Sequence, residues 1–190
     1  LNINLGKYFM RVAAIFFLLT FGFTTPSYAE KLSTSLYLSP SLYQQHGHLF
    51  GIYQEYWFNQ ASLFAPIAMQ ALQEKTPEIA MCQSGASSSR VIKLIPDVFF
   101  NPQMRVLHGK VIANVYSGGG TLLGTYVGKS QKPATIDVAV EANIQKVYAA
   151  AMSDLIKHLN LSPKADEVAS ELQLPCNVVG AQQEPKNGIY

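Results

Sequence analysis

Hydrophobic and polar residues alternate most cleanly between Met104 and Tyr116. Met104, Val106, His108, Lys110, Ile112, Asn114 and Tyr116 share one side of an extended chain; Arg105, Leu107, Gly109, Val111, Ala113, Val115 and Ser117 share the other. Successive strand side chains point to opposite faces, so this period of two predicts a β-strand. The second set is the more apolar inside the strand. It assigns Leu107, Val111, Ala113 and Val115 to the core and His108 to the face away from the helices. Gly118-Gly119-Gly120 supplies a hairpin turn, because glycine takes positive φ at no steric cost. Thr121 to Gly128 returns as a second strand. From Ala134 to Leu159 the period changes. Val140, Ile144, Val147, Ala151, Leu155 and Leu159 recur at steps of three or four, which predicts a long amphipathic helix.

The rest of the chain reads more coarsely. Thr34 to Ser39 predicts a short first strand, placed at a sheet edge because Pro40 follows it. Ser62 to Glu74 carries Phe64, Ile67, Ala68, Ala71 and Leu72 at helical spacing, with Pro66 an awkward residue inside it. Cys82 to Arg90 is small and polar and reads as a loop. Val91 to Phe100 is apolar and β-branched, a buried strand with a bend at Pro96-Asp97. Ser162 and Pro163 suit the N-cap and first position of a short helix from Pro163 to Leu172. Strands joined by hairpins with helices on one face make a two-layer α+β domain, its antiparallel sheet built from about four strands.

The N-terminal stretch changes the picture of where the chain works. Met10-Arg11 is a convincing start, followed by the apolar run Val12 to Phe23, then Pro26 and the small-x-small triplet Ser27-Tyr28-Ala29. A run of about 12 apolar residues is short of the roughly 20 that span a bilayer, so it predicts a signal peptide cleaved after Ala29. The expected organisation is a signal peptide at 1–29, a single α+β domain at 30–176 and a polar tail at 177–190. Removing Lys7 and Arg11 with the leader leaves 12 basic against 12 acidic residues. Such a neutral chain has no electrostatic footprint for nucleic acid and no polybasic block for anionic lipid. No second apolar run is long enough to span a membrane. Cys82 and Cys176 make an even pair, most simply a structural disulfide in an oxidising compartment.

Candidate chemistry is sparse. His46 and His48 stand two apart and, with His108, offer a metal-assisted hydrolase reading, but no acid or cysteine stands at ligand spacing beside them, so a solvated loop is the plainer expectation. The serines of Cys82 to Arg90 lack the G-x-S-x-G elbow, and the glycine triplet leads into a strand instead of a helix N-terminus. No enzymatic activity, cofactor or bound metal is expected. Gln44 to Phe58 is rich in aromatics, and Tyr53, Tyr56 and Trp57, with Tyr126, form the candidate binding surface.

The segment VIANVYSGGGTLLGTYVGKS followed by VEANIQKVYAAAMSDLIKHL resembles, in its order of elements, small Gram-negative envelope modules: LptE, the YajG-type lipoproteins and the N-terminal domain of TolB. Unlike the lipoprotein members, the chain has no cysteine near its cleavage site. The resemblance implies a periplasmic or secreted accessory protein that binds or helps assemble a cell-envelope partner. A second reading is a periplasmic binder of a lipid or glycan, held between sheet and helices by Tyr53, Trp57 and Tyr126.

Overall fold

The computed structural model describes residues 33–161 and 174–181. The expected signal peptide, the helix at 163–172 and the end of the tail lie outside these residues. Three strands of 12 residues each, β5 (Arg90–Asn101), β6 (Val106–Ser117) and β7 (Leu122–Pro133), form an antiparallel meander. On the far side of β5 lies β1 (Thr34–Leu38), parallel to it, and beyond β1 the two-residue strand β4 (Ala80–Met81), also parallel. The sheet order is β4-β1-β5-β6-β7. A separate hairpin pairs β2 (His46–Phe50) with β3 (Glu55–Asn59).

The sheet is therefore mixed and five-stranded, where four antiparallel strands were expected. Between β1 and β5 the chain makes a helical crossover, and such a connection returns it in the same direction, so the two strands are parallel. β1 is internal and all five of its residues are buried. Pro40 does not mark an edge. It follows the strand and opens the short helix α1 (Pro40–Gln44), where a missing amide costs nothing. Pro96 is accommodated in a similar way. β1 pairs with β5 only as far as Leu94, so Pro96 lies where that neighbour has ended, while its carbonyl accepts a hydrogen bond from Gln60 Nε2 at 2.9 Å.

The helix α2 (Gln60–Lys75) begins where Asn59 Oδ1 accepts the Ser62 amide at 2.9 Å, and it buries Ala61, Phe64, Ala68 and Leu72. Pro66 lies inside it and removes the amide that would donate to the Ser62 carbonyl. The long helix α3 (Val140–His158) starts later than its pattern predicts, because Ala139 takes a left-handed conformation at φ 49°. α2 and α3 pack together on one face of the sheet. Lys75 Nζ reaches across from α2 to the carbonyls of Ile156, at 2.8 Å, and Leu159, which the end of α3 leaves unpaired.

Two strand glycines let α3 sit close. A Cβ at Gly128 would stand 2.1 Å from the Ala151 carbonyl oxygen, and one at Gly109 would stand 2.3 Å from Val147 Cγ1. The main core fills the space between: Leu36, Leu94, Leu107, Val111 and Ala113 from the sheet, Phe64 and Leu72 from α2, Ile144, Tyr148 and Leu155 from α3. Leu107, Val111, Ala113 and Val115 all face this core, as the alternation of β6 predicts.

Helices are not confined to that face. The chain at 176–181, expected to end the ordered domain and begin the tail, continues as α4 (Cys176–Ala181). It covers the other face of the sheet at one end, where Cys176 and Val179 pack with Tyr37, Val91 and Tyr116 in a second, smaller core. Cys82 and Cys176 are disulfide-bonded, with their Cα atoms 5.8 Å apart. Lys93, buried in the sheet, donates to the Gly180 carbonyl at 2.9 Å. None of the described helices is long and apolar enough to cross a membrane.

Candidate functional site

The aromatic segment forms the β2–β3 hairpin, and its two faces have different fates. Leu49 and Phe58 point inward and are buried in the main core. Gly47 makes room for Phe58, since a Cβ there would lie 2.3 Å from its ring. The outward face carries His48 opposite Trp57 and Phe50 opposite Glu55. The His48 and Trp57 rings stack at 3.8 Å between centroids and 8° between planes, and Phe50 lies 3.8 Å from His48 on a tilted plane. His48 Nε2 is 3.3 Å from Glu55 Oε2 but without the alignment of a hydrogen bond. Trp57 is 59% exposed, Phe50 60% and Tyr53, in the turn, 97%. Phe50, Trp57 and Tyr53 together leave a large aromatic area in water, of the kind that marks an interaction site.

The turn itself is braced. The Gly51 amide donates to the Gln54 carbonyl at 2.9 Å, and Ile136 packs beneath Gly51. The Ala134 amide in turn donates to the Arg105 carbonyl at 3.0 Å, which joins the β5–β6 turn to the segment leading into α3. The same end of the domain thus presents Ile52, Met104 and Val138 as further exposed apolar side chains.

Of the four residues expected to form one surface, Tyr53 and Trp57 share the hairpin. Tyr56 points to its other side, where its hydroxyl donates to Glu141 Oε1 at 3.1 Å. Its pKa is raised, first by burial and then by the hydrogen bond to Glu141 and that group's charge. Tyr126 lies in β7 with its hydroxyl on the Asn160 carbonyl at 3.2 Å. These residues therefore do not line a common cavity between sheet and helices. His46 and His48 begin β2, whereas His108 lies in β6 stacked on Phe99 at 5.6 Å, so the three histidines are not brought together. Among the described residues no three His, Cys, Asp or Glu side chains are grouped to hold a metal.

A second feature went unread in the sequence. The sheet face that α4 leaves uncovered holds a shallow groove of about 520 Å³, lined by Asp97, Phe99, His108, Lys110, Lys129 and Gln131. The alternation of β5 and β6 placed His108 on this side, but only the strand register shows what stands beside it.

Comparison with known proteins adds the outline alone. No family model matches the chain, and no curated protein matches it. Protein XCC0632 from Xanthomonas campestris, of the DUF330 family, is similar in structure with a TM-score of 0.48 at 9% identity, over 66% of this chain and 82% of the other. A second solved structure, of a protein described as uncharacterized, has a TM-score of 0.44 at 10% identity, over 66% of this chain and 89% of the other. The likeness is thus a low-identity one to other small proteins, and not specifically to LptE, the YajG-type lipoproteins or TolB.

Proposed function

We propose that this chain is a non-enzymatic accessory protein of the bacterial cell envelope, which binds a protein partner through the outward face of the β2–β3 hairpin. The observation that carries the reading is the exposure of Phe50 and Trp57, whose rings both pack on the partly buried His48 ring, with Tyr53 exposed in the turn that follows Phe50. Large aromatics held rigid before contact lose little entropy on binding, and Trp and Tyr dominate the energetics of protein interfaces. The disulfide between Cys82 and Cys176 and the apolar leader in the sequence both favour an oxidising compartment beyond the inner membrane.

A photo-crosslinking residue in place of Tyr53 tests this in cells. One discrete protein adduct is expected, and it should disappear when Phe50 and Trp57 are both changed to Ala. An adduct that persists in that variant, or no adduct at all, counts against the reading. Because Phe50 and Trp57 are exposed, the double variant should keep its thermal midpoint.

A further inference from the structure

The groove on the open sheet face has chemistry of its own and does not depend on the hairpin reading. The strand register lays three rows of side chains across β5, β6 and β7: Phe99, His108 and Gln131; then Asp97, Lys110 and Lys129; then Ile95, Ile112 and Val127. In the middle row two lysines stand directly opposite each other. The Lys129 amide turns away from β6 and donates to Asp154 Oδ2 at 3.1 Å, so Lys110 and Lys129 form a non-hydrogen-bonded pair. In such pairs the side chains come closest, with Cβ atoms about 4.5–5.5 Å apart, and like charges destabilise. Neither ammonium lies within 4.0 Å of a carboxylate among the described residues. Asp97, on the β5 side of Lys110, confines the favourable position for an anion to the β6–β7 side. One step along the strands, about 7 Å away, the face becomes aliphatic. There Ile95 is 41% and Val127 38% exposed, so the row is open to solvent.

We propose that this face binds a single-chain anionic amphiphile, with its head group between Lys110 and Lys129 and its chain laid across Ile95, Ile112 and Val127. The anion relieves the opposed charges, and the chain covers the aliphatic row. The two contributions together account for a sheet face whose lysine pair, at the edge of the groove, adjoins an aliphatic row just beyond it.

Titration calorimetry on the full chain tests this, with dodecanoate and dodecyl phosphate as anionic probes below micelle formation. Dodecyl maltoside serves as the uncharged probe and inorganic phosphate as the free anion. Both anionic probes are expected to bind at one site, and the Lys110→Ser/Lys129→Ser variant should bind them about tenfold or more weakly. Val127→Ser should also weaken them. Equal affinity for dodecyl maltoside overturns the role of charge. Inorganic phosphate binding as tightly as dodecyl phosphate overturns the role of the chain, leaving a simple anion site. Amide shifts on dodecanoate addition should fall on residues 95–99, 108–112 and 127–131, and shifts confined to the hairpin would also overturn the proposal. Both lysines are exposed, so the double variant should fold. Should it fail to, dodecanoate binding by the unaltered chain at about 0.05 and about 0.5 M salt decides: marked weakening supports the lysine contact, and none refutes it.

Discussion

Gly128 offers the sharpest test of how the helix layer is set on the sheet. An alanine there places its Cβ 2.1 Å from the Ala151 carbonyl oxygen and 2.6 Å from both the amide nitrogen and Cβ of Leu155. An ordinary contact begins near 3.4 Å, so α3 and β7 must separate by more than an ångström. The first obstacle is helix backbone, which no rotamer change removes. Overpacking of this kind costs roughly 1–3 kcal/mol, and more where backbone must shift. Against it stands a gain of about 0.4–1 kcal/mol from the stiffer unfolded chain. Gly128→Ala should therefore lose about 2 kcal/mol, seen as a lower urea midpoint at unchanged slope and a thermal midpoint about 4–8 °C lower. Gly109→Ala provides the contrast, because its nearest obstacle is the end of a side chain, Val147 Cγ1. In a double-mutant cycle Val147→Ala should recover about 1 kcal/mol of the Gly109→Ala loss. Leu155→Ala should recover almost none of the Gly128→Ala loss, since the Ala151 oxygen stays in place. A Gly128→Ala protein within about 0.5 kcal/mol of wild type would refute the argument, as would full rescue by Leu155→Ala.

Three further outcomes follow from single contacts. Changing Cys82 and Cys176 together to Ser opens a closure of 94 residues and should cost on the order of 3–4 kcal/mol, measured by urea unfolding under non-reducing conditions. Lys75→Met leaves the Ile156 and Leu159 carbonyls at the end of α3 without their cation and should cost about 1–2 kcal/mol, with Lys75→Arg recovering part of it. Burial keeps the Tyr148 hydroxyl neutral far above the ordinary phenol range, an effect that the Gln60 hydrogen bond opposes and the Asp97 charge adds to. Because the unfolded chain ionises near pH 10 while the folded one does not, this contribution is present below pH 10 and lost above it. The loss is at most about 1.4 kcal/mol per pH unit. Tyr148→Phe should flatten the alkaline limb of a urea-midpoint profile between about pH 9 and 11 by that component.

What the sequence made legible was local period. The alternation of Met104 to Tyr116 named the core face of β6 correctly, and the three-and-four spacing of Val140 to Leu159 located α3. Period identifies a face and not a partner, which is why the parallel pairing of β1 with β5 and the two-residue strand β4 were not foreseen. His46-Gly47-His48 read as a loop because one glycine and two polar residues outweigh strand propensity locally. In the fold, Gly47 is required by the Phe58 ring, and His48 is held by Trp57 across the hairpin. α4 was missed because six residues are too few to show a helical period, and the disulfide and the second core hold them in place. The lysine pair of the groove becomes a pair only once β6 and β7 are in register.

The position of β1 has a consequence for the order of folding. Its neighbours in the sheet are β5 and β4, and its pairing with β5 joins residues more than 50 apart in sequence, such as Ser35 with Val91. The meander β5–β6–β7 and the helix that covers it are instead closed by short turns within 90–158. Closing a long loop costs entropy before any contact repays it. The second half of the chain should therefore assemble first, with β1 added afterwards, so an early intermediate would carry an open β5 edge. A chain held in that state exposes a strand ready to pair with a neighbour, which makes β1 docking the step at which aggregation competes with folding.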